Sequence, residues 1–177
     1  MTEKNDTSML TEKYIFRNIR QEEIAQTSEI EKICFPPNEA CSYEHMEDRV
    51  KKAPELFLVA EDRATGRIAG FLNGLATDRE HLTDDFFTDA EVHDPNGKNI
   101  MLLGLDVLPE YQHQGLAREL VRCYKEREKA NGREKLILTC LPDKVEMYQK
   151  FGFKDHGIGG SVWGGEAWHE MSVELRG

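Results

Sequence analysis

The sequence predicts an α/β fold in which helices cover both faces of a mixed sheet. Three observations carry that prediction. Ile100 to Leu108 is almost continuously apolar, the pattern of a central strand covered on both sides. After Gly115, residues Leu116, Ala117, Leu120, Val121 and Tyr124 share one helical face while charges fill the other. Two helices and a hairpin are then followed by strand, helix, strand, helix, strand, strand, an order that packs helices on a sheet. With 177 residues, the chain suits one domain with a sizeable core.

The opening stretch, MTEKNDTSMLTEK, lacks the apolar core of a signal peptide and reads as a disordered tail over residues 1–13. Residues 14–177 are read as the single domain. Tyr14 to Arg20 alternates as a first strand, and Glu22 to Ile33 carries Ile24, Ile30 and Ile33 at helical spacing. Pro36 and Pro37 in CFPPNEACS cannot continue that helix. Ser42 is placed to cap a second helix that runs to about Lys52, and Pro54 ends it. Leu56 to Glu61 and Arg67 to Leu75 form a hairpin around Thr65-Gly66.

Thr77 to Lys98 has no strong period and is too long for an ordinary connection, so it is expected to be functional. Phe86 and Phe87 argue against complete disorder there, and a short helix is expected near Asp84 to Ala90. Asn131-Gly132 stops the helix that starts at Gly115. Lys135 to Cys140, Phe153 to Ile158 and His169 to Leu175 read as strands, with a short helix over Lys144 to Phe151.

A net charge of −10 disfavours nucleic acid, because phosphate binding needs a basic face. It suits a cationic small molecule, or simply solubility. No apolar run is long enough to span a membrane. Cys34, Cys41, Cys123 and Cys140 show no paired CxxC spacing, so neither zinc nor a disulfide framework is expected, and the setting is read as cytoplasmic. His81 and His93 fit no metal-ligand spacing, and no metal is expected.

The junction after the central strand carries the chemistry. The first-turn N–H groups of a helix lack intrahelical partners, and the helix dipole adds positive charge to them. A phosphate can accept those bonds if nothing obstructs it, and Gly115 has no side chain to do so. The pattern is Gln112-His113-Gln114-Gly115-Leu116-Ala117, with neither a P-loop lysine nor a dinucleotide GxGxxG. A second segment, MYQKFGF, sets Tyr148 and Phe151 three apart before Gly152. Tyr148 there is either a packing residue or part of a site that the two strand ends share.

Together the two segments resemble the core of the GNAT superfamily of acetyl-CoA-dependent N-acetyltransferases. CFPP, PELFLVAE, GRIAGFLNG, LTDDFF, HDPNG and MYQKFGF extend the likeness to the bacterial, arylalkylamine N-acetyltransferase-like branch, over roughly Phe16 to Leu175. The resemblance implies a largely antiparallel sheet of six to seven strands with one splayed parallel pair. It implies acetyl-CoA as cosubstrate and a primary amine, an arylalkylamine or polyamine, as acceptor, in a monomer or homodimer. It assigns Leu105, Asp106 and Val107 to main-chain contacts with the pantetheine arm and acetyl group. Gln112, His113, Gln114, Gly115, Leu116, Ala117 and Arg118 would hold the pyrophosphate, and Tyr148 would be the general acid toward the CoA thiolate.

The animal arylalkylamine enzymes carry two relay histidines on the preceding strand, where this chain has Met101 and Leu103. Neither moves protons, so the base is unassigned among Glu39, His93, His169 and Glu170. Loss of the histidines also leaves an acyl-CoA-binding sensor without transfer activity as the alternative. The loop Thr77 to Gly97, through its aromatic pair and its acids Asp84 and Asp85, is expected to border the acceptor. Trp163 or Trp168 in GIGGSVWGGEAW could line the same pocket or sit at a hairpin tip.

Overall fold

The computed structural model describes residues 10–176. Seven strands form one sheet in the order β1-β2-β3-β4-β5-β7-β6. They are β1 Tyr14–Asn18, β2 Phe57–Asp62, β3 Ile68–Thr77, β4 Asn99–Val107, β5 Lys135–Cys140, β6 Lys154–Ile158 and β7 His169–Glu174. All neighbours pair antiparallel except β4 and β5, which are parallel. Among the described residues, besides the helical 10–13, five helices accompany it: α1 Ile24–Cys34, α2 Tyr43–Lys52, α3 Asp85–Thr88, α4 Leu116–Ala130 and α5 Val145–Lys150. The mixed sheet, its single parallel pair and its helical cover agree with the fold class expected from the sequence.

Local chemistry explains the boundaries. Ser42 accepts the His45 amide at 3.1 Å and starts α2, as a capping serine should. Asn131 and Gly132, the latter with φ +84°, stop α4. Residues 1–9 lie outside the described residues, whereas 10–13 of the expected tail are helical and Leu10 is buried in the core. The Thr11 and Lys13 carbonyls accept from Arg63, which ties this stretch to the β2–β3 turn.

The core lies in two layers. Phe57, Val59, Ile68 and Phe71 face α1 and α2, packing on Ile24, Ile30, Met46 and Val50. Leu58, Ala60, Ala69 and Leu72 point the other way, toward Leu116, Leu120, Val121 and Tyr124 of α4. Period-two alternation sends successive β2 residues to opposite layers, while in β3 the extra residue Ala69, opposite Ala60 and Glu61, shifts the alternation by one.

Two irregularities shape the middle of the sheet. Asn73 pairs with Gly104 but Gly74 pairs with Leu102, so Leu103 is an extra residue in β4. Such a bulge bends its strand and sharpens the local twist. The parallel pairing of β4 with β5 is brief, Asn99 with Lys135, Ile100 with Leu136 and Met101 with Ile137. Beyond it the strands part, and a wedge opens between the C-terminal halves of β4 and β5.

Candidate active site

The wedge forms a cavity of about 1020 Å³. Leu102 to Leu105 and Val107 of β4 line one wall, and Leu138, Thr139 and Cys140 of β5 the other. Since β5 has left β4, that edge of β4 has no strand partner beyond Met101, although the Val107 carbonyl accepts from Gln112 Nε2 at 3.0 Å.

At one end lies the predicted helix mouth. A 3-10 turn, Pro109–Tyr111, leads to His113 with φ +63° and Gly115 with φ +82°. Gly115 is the N-cap of α4, and no side chain caps the first-turn amides. A Cβ built on Gly115 would meet nothing within 4 Å, so the space over this backbone is open. Gln112, His113, Gly115, Leu116, Ala117 and Arg118 all line the cavity. Gln114 does not: its Oε1 accepts from Lys13 Nζ at 3.0 Å and Tyr14 Oη at 2.9 Å. Those bonds pin the loop to β1, so Gln114 supports the mouth from behind and its side chain is no ligand contact.

The three predicted β4 residues divide by the strand period. Leu105 and Val107 line the cavity, while Asp106 is fully buried behind it. The Asp106 side chain faces α1, beside Glu31, and its carboxyl is held well above the ordinary range by burial and by that neighbour. Only its main chain remains available to the wedge.

Tyr148 stands across from β4 on α5 and lines the cavity. Phe151 and Phe153 hold its ring edge-on, with centroids 6.0 and 5.7 Å away. Burial, then the nearby Cys140 and Asp106, push the phenol well above its usual value. Tyr148 is therefore a neutral donor throughout the working pH range. The thiols are poor nucleophiles: burial raises Cys34 to about 11 and Cys41 and Cys140 to about 12.

The far end is aromatic and acidic. Phe87 of α3 stacks on Trp163 at 5.1 Å, and both line the cavity with Trp168. Indole N–H groups are tied down, Trp163 Nε1 to Glu39 O at 2.8 Å and Trp168 Nε1 to Trp163 O at 2.7 Å. Glu39 is held above the ordinary carboxylate range by burial, then by the neighbouring Glu166 and Asp143.

The remaining base candidates lie elsewhere. His93 Nδ1 accepts from the Ala76 amide at 3.0 Å and its Nε2 meets Glu55, also at 3.0 Å. Glu170 accepts from the Leu82 amide at 2.9 Å and contacts His81 at 2.8 Å. His169 contacts Asp155 at 3.0 Å. These three residues fasten loops and strands, and only Glu39 of the four candidates lines the cavity. The long loop reaches the site through Phe87 and not through its acids. Asp84 accepts from Ser161 Oγ at 2.5 Å and from the Val162 amide at 3.1 Å, while Asp85 pairs with Arg79 at 2.7 Å.

Several residues that line the cavity carry no functional signal of their own in the sequence, Glu31, Arg49 and Asp143 among them. Glu31 of α1 and Arg49 of α2 are buried yet reach the cavity, and Asp143 stands at its rim. A charged residue amid the apolar positions of a helix, as in EIEKIC, was the available signal for Glu31. Among the described residues no group of three or more potential ligands could hold a metal ion. No helix among them is long and apolar enough to cross a membrane.

The sequence model of the acetyltransferase (GNAT) family matches residues 24–153. The chain belongs to that family. Its wedge, helix mouth and Tyr148 thus lie in the segment that defines a GNAT acetyltransferase. Over 158 residues, 85% of this chain, it is 27% identical to "Probable hydrolase YhcX" of Bacillus subtilis (strain 168), and spans 30% of that relative's length. The loading GNATL domain of CurA from Lyngbya majuscula has the same fold, with a TM-score of 0.79. Identity there is 18%, over 92% of this chain and 98% of that one. A GNAT superfamily phosphinothricin acetyltransferase from Sinorhizobium meliloti, solved in complex with AcCoA, has a TM-score of 0.66. It is 16% identical over 92% of this chain and 89% of that one. A similar GNAT fold has thus been solved with acetyl-CoA bound.

Proposed function

We propose that the chain transfers the acetyl group of acetyl-CoA directly to a primary amine, of the arylalkylamine kind. One observation supports this above others: a single wedge joins an open, uncapped helix mouth, a neutral tyrosine donor and an acidic aromatic chamber. The mouth suits a pyrophosphate, held by amides from His113 to Arg118. The free edge of β4, through the main chain of Leu105, Asp106 and Val107, suits the pantetheine arm. Phe87, Trp163 and Trp168 suit an aryl group, and Glu39 and Asp143, which also line the cavity, favour the approach of a cation.

Tyr148 donates a hydrogen bond to the sulfur as the thioester breaks. Its raised phenol makes complete proton transfer to a thiolate of pKa near ~8.5 unfavourable, so the donation stabilises charge without a finished transfer. The raised thiols favour direct attack over an acetyl-cysteine route. Thiol release from acetyl-CoA with a panel of amines, read with product mass, tests the proposal. Acetylated amine is the expected result. Tight acetyl-CoA binding with no transfer to any amine would favour the sensor reading.

A further inference from the structure

Four polar atoms behind the bulge of β4 have no hydrogen-bonding partner among the described residues. They are Glu31 Oε1, both carboxyl oxygens of Asp106, and Asn73 Oδ1. Glu31 is 4% exposed, Asp106 0% and Asn73 1%. Leaving such groups unpaired costs about 1–3 kcal/mol each, more when charged, so an arrangement of this kind calls for a use.

Two of these atoms, Glu31 Oε1 and Asp106 Oδ1, converge on one point together with Asn73 Nδ2. A Cβ placed on Gly104 would lie 3.2 Å from Asn73 Nδ2, 3.2 Å from Asp106 Oδ1 and 3.6 Å from Glu31 Oε1. Gly104 and Glu31 both line the wedge, so this point lies on the stretch of β4 that faces the cavity. Glu31 is fixed through its other oxygen, Oε2, which accepts the Cys41 amide at 3.0 Å. Two adjacent buried carboxyls disfavour each other's charge, and the Asp106 carboxyl is held well above the ordinary range by burial and then by Glu31.

We propose that Glu31, paired with Asp106, is the base that removes the proton from the acceptor ammonium at Gly104. The N–H bond breaks, the proton passes to Oε1 of Glu31, and the electron pair stays on nitrogen for attack on the thioester carbonyl. The proton then leaves Glu31 for solvent through the open cavity. Asp106 is a positioning residue, acting through Glu31. The assignment rests on the amine acetyltransferase reading above and supplies the proton acceptor that Met101 and Leu103 cannot be. The groups that face the pair are Cys34 of α1, Cys41 of the next loop with Arg49 of α2 beside it, and Tyr148 of α5.

The test compares phenethylamine with its β,β-difluoro analogue, whose ammonium is far more acidic, in wild type and Glu31→Gln. A base is needed for the first amine, about one molecule in 10³ of which is neutral at pH 7 if it titrates like lysine. We expect Glu31→Gln to lower kcat about 10²–10⁴-fold on phenethylamine, and less than about ten-fold on the analogue. The acidic limb of its pH–rate profile should also be lost. Equal losses on both amines, with acetyl-CoA binding and Tm retained, would overturn the assignment. If Glu31→Gln does not fold, Glu31→Ala decides. It removes the carboxylate and adds no bulk where the amine would sit, and it should show the same difference between the two amines. Equal loss, or none, overturns the proposal. Wild type that acetylates neither amine would remove the acceptor reading itself, and this assignment with it.

Discussion

Replacing Gly115 with aspartate and, separately, with asparagine should divide the helix mouth into its steric and electrostatic parts. Gly115 has φ +82° and ψ 13°, the left-handed region, where a residue with a Cβ loses about 1–2 kcal/mol and Asn or Asp somewhat less. Nothing in the protein lies within 4 Å of that Cβ, so no packing penalty adds to the backbone cost. For a chain of this size Tm should fall by no more than about 8 °C. A ligand at the mouth would meet both substitutions, but only aspartate brings charge. One added negative charge about 5 Å from a pyrophosphate charge, at an effective dielectric near 20, costs roughly 3 kcal/mol. That is a further weakening of about 10²-fold for Asp over Asn. Isothermal titration with acetyl-CoA measures both, and added salt should narrow the gap by screening. Equal affinities for the two variants, or wild-type affinity in both, would refute pyrophosphate binding at this mouth.

Other consequences follow from the same geometry. Tyr148→Phe keeps the ring contacts with Phe151 and Phe153 and removes the donor, so kcat should fall about 10²–10⁴-fold while acetyl-CoA affinity and Tm hold. A drop in Tm with kcat preserved would make Tyr148 a packing residue. Asp106→Asn should match or exceed wild type in stability, by a margin that opens with pH. The unfolded carboxyl releases its proton near ~3.9 while the folded one keeps it. Stability from this group is thus full below that pH and declines by about 1.4 kcal/mol per unit until the folded pKa is passed, as urea melts at several pH values would show. A gain that shrinks with pH would contradict that sign. Asp84→Ala frees Ser161 and the Val162 amide, loosening the segment that carries Trp163. The amine KM should rise several-fold more than the acetyl-CoA KM, and equal changes would count against an aromatic acceptor chamber.

Much of this architecture is legible in local sequence because local chemistry sets it. Ser42, Pro54, Thr65-Gly66 and Asn131-Gly132 each punctuate an element by a cap, a fixed φ or a left-handed turn, and the elements begin and end beside them. The helix mouth is equally local, since Gly115 and α4 are contiguous. What sequence could not supply was pairing at a distance. Glu31 and Asp106 lie 75 positions apart, and only the packing of α1 on β4 makes them one carboxyl pair. The extra residue Leu103 in β4 is likewise hidden within a run of apolar residues. Asp84 reads as a free acid in a polar loop, and its real partners, Ser161 and Val162, come from the β6–β7 connection. Gln114 likewise gives no sign in the sequence that its side chain is held by Tyr14 and Lys13. Leu10 reads as part of a polar tail because its apolar neighbours are all far along the chain.

The central claim is that one CoA thioester occupies both the helix mouth and the free edge of β4. Hydrogen–deuterium exchange with and without acetyl-CoA, resolved by peptide mass, addresses it directly. The account predicts slowed exchange in two separate stretches, 102–107 and 113–118, at the same acetyl-CoA concentration and with one affinity. Protection confined to either stretch, or appearing instead around the outer strands β1 and β6, would contradict it.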